Sequence, residues 1–216
     1  MEKKINITQL LGRSWEIFKS NAGRFIGIIV IMMIFSAVPE ALVRLAPENQ
    51  LYAFFISVIF LVPQIILSMG VIKYTLDVID GQNPGLSVLF SQYRYFFRFF
   101  GASFLFNIIA VTGYLLLIVP GIILSIRLQF FSYLIIDRDS KAVDSLKESW
   151  NRTSGITMDL FCLALVTVGI NLLGFIALFA GLLVSVPVTM ILIGLLFREL
   201  TADTAIQSQS IKEQAA

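Results

Sequence analysis

The sequence predicts an all-α fold, a polytopic membrane helical bundle of six spans, on three observations. Of its 216 residues 57% are hydrophobic and only 14% charged, a balance foreign to a water-soluble domain. Six apolar stretches are each long enough, at about 1.5 Å per helical residue, to cross a hydrocarbon core about 30 Å thick. Lys and Arg gather in the segments that join alternate pairs of those stretches.

The chain opens on a lead-in segment, polar throughout and without the apolar region and cleavage site of a removable signal peptide, so the first span is expected to direct insertion. Within it Ile7, Leu10, Leu11, Trp15 and Phe18 share one helical face, opposite Gln9, Arg13, Glu16 and Lys19. That predicts an interfacial helix over 7–19, started by a capping box of Asn6 and Gln9. Spans follow at 24–45 and 53–79, joined by the short turn APENQ. A second interfacial helix, 84–97, carries the stripe Leu86, Leu89, Phe90, Tyr93, Phe96 and Phe97, with Asn83 as N-cap and Pro84 at the first helical position. Spans 97–117 and 119–137 are joined by the wholly apolar GYLLLIVPG, which predicts a tight hairpin turning at Gly113 and Pro120. The third interfacial helix, 141–154, sets Val143, Leu146 and Trp150 against Asp144, Lys147, Glu148 and Arg152. Spans 157–177 and 180–199 turn at Gly174 and Gly181, which completes a single membrane domain over 1–200. Residues 201–216 have no apolar stripe and are expected to form a disordered cytoplasmic tail.

All sixteen Lys and Arg except Arg44 and Arg127 lie in the N-terminal segment, the connections 80–96 and 138–156, or the adjoining helix ends and tail. With an even number of spans these segments share one side, which the positive-inside rule assigns to the cytoplasm of a multi-pass cell-membrane protein, inner or plasma, with both termini inside. A net charge of +2 is too small to point to nucleic acid.

The even spans each carry Val-Pro, at Pro63, Pro120 and Pro187, and after the first two prolines QIILSM nearly repeats as GIILSI. Asp80 and Asp137 each follow their proline by seventeen residues, with Asp203 as a looser third copy. Upstream, Leu11 and Trp15, Leu89 and Tyr93, and Leu146 and Trp150 match in spacing. The pattern suggests three internal repeats, each an interfacial helix plus a two-span hairpin. Helix-opening prolines and interfacial aromatic residues produce a similar pattern without any repeat.

With no histidine and one cysteine, Cys162, the chain lacks the parts of a His/Cys zinc site, an internal disulfide or a Ser-His-Asp system, and no cofactor motif is present. Arg127 is the most informative single residue, because it falls near mid-bilayer, where an ionised side chain must face protein, water or a headgroup. It is read as a structural clamp, as a contact for an anionic lipid headgroup, or as a snorkelling side chain, with Asn107, Asn171 and Glu40 as the available partners. Glu40 stands four residues from Arg44, and Lys73 four from Asp77, spacings that suit ion pairs. Gly23 and Gly27 form a G-x-x-x-G that lets helices approach. Cys162 is expected to be a small buried hydrophobe. Trp15 and Trp150 are interfacial anchors, while Pro63, Pro120, Gly121, Pro187, Asp80 and Asp137 are structural positions.

GYLLLIVPGIILSIRLQFFSYLIID together with DSLKESWNRTSG resembles a broad group of prokaryotic six-span proteins, which includes the membrane domain of some glycerophosphodiester phosphodiesterases and the YciC-like proteins. The likeness covers about residues 80–200 and centres on Pro120, Gly121, Arg127, Asp137, Ser145, Leu146, Ser149 and Trp150. It implies an all-helical membrane fold and transfers no catalytic residue, since the phosphodiesterase chemistry belongs to a separate soluble barrel. The expected function is therefore non-enzymatic, handling lipid or envelope components or serving as the membrane partner of another protein. The alternative is a small-solute transporter or substrate-capture subunit built around Arg127, Asn107 and Asn171.

Overall fold

A computed structural model describes residues 5–177 and 180–214, the side chains of 203–214 excepted. The described residues form α1 (Ile7–Val43), α2 (Gln50–Ile79), a 3₁₀ segment (Leu86–Tyr95), α3 (Phe96–Leu116), α4 (Ile118–Leu128), α5 (Phe131–Arg138), α6 (Ala142–Arg152), α7 (Thr157–Ile176) and α8 (Leu182–Gln214). Among the described residues six helical stretches are long and apolar enough to cross a membrane, and each overlaps one of the six predicted.

The first interfacial helix and first span are continuous in α1 but meet at a kink, where Asn21 leaves helical geometry at φ −128°. Asn6 caps the start as the capping box requires, accepting from the Gln9 amide at 3.1 Å. Asn49 does the same for α2 through the Tyr52 amide at 3.0 Å. Because of that cap and an apolar run before it, Pro63 sits inside α2 instead of opening it. Pro187 is likewise inside α8, and only Pro120 lies in the first turn of its helix. The α3–α4 hairpin is as tight as expected, with Leu117 alone extended between the two helices. A Cβ on Gly113 would come within 2.9 Å of Gly121 Cα, so both glycines permit the close approach. Gly174 and Gly181 play the same part between α7 and α8.

Two expectations need correction. The second lead-in is a 3₁₀ segment capped by Gly85 rather than an α-helix capped by Asn83. Its backbone lies against α2 at Gly70, where an added Cβ would meet the Leu89 carbonyl oxygen at 1.9 Å. The backbone of α8 also runs on as helix to Gln214 where a disordered tail was expected, since no Gly or Pro follows Pro187 except Gly194 to interrupt it. Asp203, the third repeat aspartate, falls outside the described side chains.

Spans 4 and 6 lie innermost in the bundle, whereas the most apolar window of span 2 is only 22% buried and its buried residues run from Leu67 to Val78. The most apolar windows of spans 4 and 6 are 44% and 56% buried, against 11%, 17% and 17% for spans 1, 3 and 5. Leu67, Tyr74 and Leu76 of α2, Ile126, Phe130 and Leu134 of α4–α5, and Ile191, Leu195 and Phe197 of α8 make one core. Met69, Tyr95, Leu128, Phe131, Ile135 and Leu146 make a smaller second one. We call the end bearing Asp80, Asp137 and Arg198 the polar end and the other the hairpin end.

Candidate functional site

The fourth span is interrupted at Gln129 and Phe130, between α4 and α5. A continuous helix would pair the Arg127 carbonyl and the Phe130 amide with backbone groups four residues away. Instead Ser149 Oγ, from α6, donates to the Arg127 carbonyl at 2.7 Å and accepts from the Phe130 amide at 3.2 Å. Thr153 Oγ1 lies 3.2 Å from the same carbonyl. Both hydroxyls are fully buried, so the break is stitched by side chains that enter the helix ladder. The buried face of α6 is therefore Ser145, Leu146 and Ser149, while Val143 is 50% and Trp150 37% exposed. Hydropathy groups Val143, Leu146 and Trp150 on one face and gives no sign that Ser149 lies inward, because it does not register that a broken helix needs hydroxyl partners.

Arg127 is held by the same helix. Its guanidinium stacks 3.4 Å from the centre of the Trp150 ring, its Nη2 donates to the Trp150 carbonyl at 2.8 Å, and its Nε to Thr153 Oγ1 at 3.4 Å. Trp150 lies in the last turn of α6, so the cation meets free carbonyls and the negative end of the helix dipole. None of the expected partners reaches it. Asn107 donates to the Ser103 carbonyl of its own helix at 2.7 Å. Asn171 ties α7 to α8, accepting from Ser185 Oγ at 3.0 Å and approaching Thr189 Oγ1 at 3.3 Å. Glu40 pairs at 2.5 Å with Arg44, and both are largely exposed. Arg127, Asn107 and Asn171 are thus bonded separately, with no hydrogen bond joining them into one solute site.

At the polar end Asp80 and Asp137 converge on one residue that sequence reasoning missed. Arg198 of α8 donates to Asp137 Oδ2 at 2.7 Å and to Asp80 Oδ2 at 2.5 Å, which binds the C-terminal ends of α2 and α5 to α8. Lys73 and Asp77 form the expected i,i+4 pair at 2.5 Å. Arg152, with a side chain only 8% exposed, pairs with Glu148 at 2.6 Å and donates to the Leu200 carbonyl at 3.2 Å. Cys162, expected inside, is exposed on the outer face of α7. No helix packs against Gly23 or Gly27, whose added Cβ atoms would meet nothing within 4 Å. Among the described residues no three His, Cys, Asp or Glu side chains are grouped to hold a metal ion.

The three lead-in segments share an orientation. Trp15, Tyr93 and Trp150 point outward at 45%, 68% and 37% exposure, whereas the residue before each, Ser14, Gln92 and Ser149, is buried.

A family model described as a domain of unknown function (DUF7847) matches residues 51–212, well over half of the chain. No curated protein and no solved structure matches. The matched stretch takes in the Arg127–Ser149 stitch and the Arg198 cluster and leaves out α1.

Proposed function

The chain belongs to the DUF7847 family, which is defined without an activity, and from that premise we propose that it is a non-catalytic multi-pass protein of the cell membrane, both ends cytoplasmic, that handles lipid or envelope components or partners another membrane protein. The narrower likeness of residues 80–200 to the YciC-like and phosphodiesterase-attached membrane domains agrees with a scaffold that has no chemistry of its own.

One observation carries this reading. Spans 1, 3 and 5 turn large apolar side chains away from the protein, including Phe104 at 61%, Leu115 at 82% and Leu173 at 69% exposure, a surface that acyl chains or another apolar protein would cover. The cations within or at the ends of the spans, by contrast, are largely spent on internal ties, as Arg127, Arg198 and Lys73 illustrate. The matched faces of the three lead-in segments support the further reading that the chain is built of three units around an axis along the membrane normal.

Single cysteines placed at exposed Glu48 and Asp144, in a Cys162→Ala background, test the arrangement. A membrane-impermeant maleimide applied to intact cells labels position 48 at once and position 144 only after lysis. Labelling of position 144 from outside, or release of the chain by carbonate, overturns the proposal.

A further inference from the structure

The polar end holds a cavity of about 480 Å³ that none of the preceding clusters uses, lined by Gly23, Arg24 and Gly27 of α1, Tyr74 of α2, and the turn Asn83–Leu86. Three features give it a chemical character. Tyr74 is fully buried, and among the described residues its hydroxyl makes no well-directed hydrogen bond, the Arg24 guanidinium being the polar group beside it. A buried hydroxyl so weakly met costs stability unless another group reaches it. Beyond that hydroxyl, the Arg24 guanidinium donates among the described residues only to neutral oxygens, Asn83 Oδ1 and, at 3.4 Å, Asn21 Oδ1. Its charge therefore has no carboxylate against it among the described residues, unlike that of Arg198, Arg152, Arg98, Arg44 or Lys73. Finally, Gly23 and Gly27 expose bare backbone with open space in front of it. A helix pair would have filled that groove; here it is left clear for something small to approach.

We propose that this cavity binds a phosphate-bearing anion, with the Arg24 guanidinium and the Tyr74 hydroxyl donating to the phosphate oxygens and Asn83 orienting Arg24. The Arg24 fork suits the oxygens of a phosphate, and the glycines admit the group against α1. The site lies next to the Asn21 kink, where the interfacial part of α1 turns into its span, so a phospholipid headgroup would reach it with its chains along the exposed face of α1. A soluble phosphate ester presents the same chemistry from the aqueous side. The lipid form deepens the lipid-handling role proposed above and rests on it; the anion site itself does not.

The full-length protein in a non-ionic detergent is titrated with short-chain phosphatidylglycerol and, separately, with glycerol phosphate, while native mass spectrometry counts bound ligands and any co-purified lipid. One equivalent of one of these ligands binds the wild type. Tyr74→Phe, which keeps the ring and its edge-on contact with Phe25, weakens that equivalent roughly tenfold or more, the scale of one hydrogen bond to a charged acceptor. Arg24→Gln weakens it further, Gly27→Leu blocks it by filling open space, and Arg44→Gln leaves it unchanged. Binding of glycerol phosphate but not of the lipid supports the site and assigns its ligand to the aqueous phase. A wild type that binds neither ligand, or Tyr74→Phe and Arg24→Gln proteins that melt normally and bind as the wild type does, overturns the site. Co-purified lipid retained equally by all variants leaves the lipid-handling role standing while removing this cavity from it; absence of lipid from every preparation removes that role as well.

Discussion

Arg198 Nη1 lies 2.7 Å from Asp137 Oδ2, and the same guanidinium reaches Asp80, so a single cation near the end of the sixth candidate span joins the ends of the second and fourth. Arg198→Met leaves two carboxylates facing each other without their counter-ion. With the Arg198 side chain 24% exposed, the expected loss is about 2 kcal/mol, below the ~3–5 kcal/mol typical of breaking a fully buried pair. A double-mutant cycle on thermal stability in detergent separates the two partners. Coupling of Arg198 to Asp137, 16% exposed, exceeds its coupling to Asp80, 36% exposed, and equal coupling would show that both pairs behave as surface pairs.

The stitch at the α4–α5 break makes two neighbouring serines behave differently. Ser149 serves two backbone groups of another helix, while Ser145, equally buried, donates only to the Ala142 carbonyl of its own helix. Ser149→Ala strands the Phe130 amide and costs about 2–3 kcal/mol; Ser145→Ala costs about 1 kcal/mol or less. Comparison of melting curves for the two variants checks this, and equal losses would mean that the break finds other partners.

These cases mark the limit of what periodicity reveals. The spans, the Asn6 cap, the Gly113 turn and the Lys73–Asp77 pair all depend on neighbours within a few residues, and the sequence displays them directly. Arg198 meets Asp137 across 61 positions and Asp80 across 118, and no local pattern couples such distant residues. Ser149 carries no local sign of its partner, because serine on an amphipathic helix ordinarily faces solvent and the defect it meets lies in another helix that hydropathy cannot register. The Tyr74 hydroxyl is hidden for the same reason, since within an apolar run it passes for one more core aromatic residue.

Arg127 and Arg44 were both outliers from the distribution of basic residues, and the structure separates them. Arg127 stacks on Trp150 and caps α6, whereas Arg44 is paired only with Glu40 four residues away, at 76% side-chain exposure. Arg127→Leu therefore lowers both expression and melting temperature, and Arg44→Leu leaves them unchanged. Arg127→Lys does not restore the wild-type value, because an ammonium supplies neither the flat stack on the indole nor a rigid, planar set of donors aimed at both acceptors. Full recovery with lysine would show that only the charge matters there.

The two glycines at positions 12 and 70 give opposite outcomes for the same substitution. Gly12 lies on the open side of α1 with nothing within 4 Å of an added Cβ and no left-handed backbone to protect. Alanine there narrows the unfolded ensemble and favours helix, a gain of about 0.5–1 kcal/mol. At Gly70 the added carbon would fall 1.9 Å from the Leu89 carbonyl oxygen and 2.4 Å from its Cα, backbone that no rotamer change can move aside. Gly70→Ala must push the 3₁₀ segment off α2, which also displaces buried Leu89, Gln92 and Tyr95, so its cost exceeds about 3 kcal/mol. Fluorescence-detected size exclusion of both variants after a temperature ramp reads the difference. A Gly70→Ala protein as monodisperse and heat-stable as the wild type would mean that the second lead-in does not rest on α2 through its backbone.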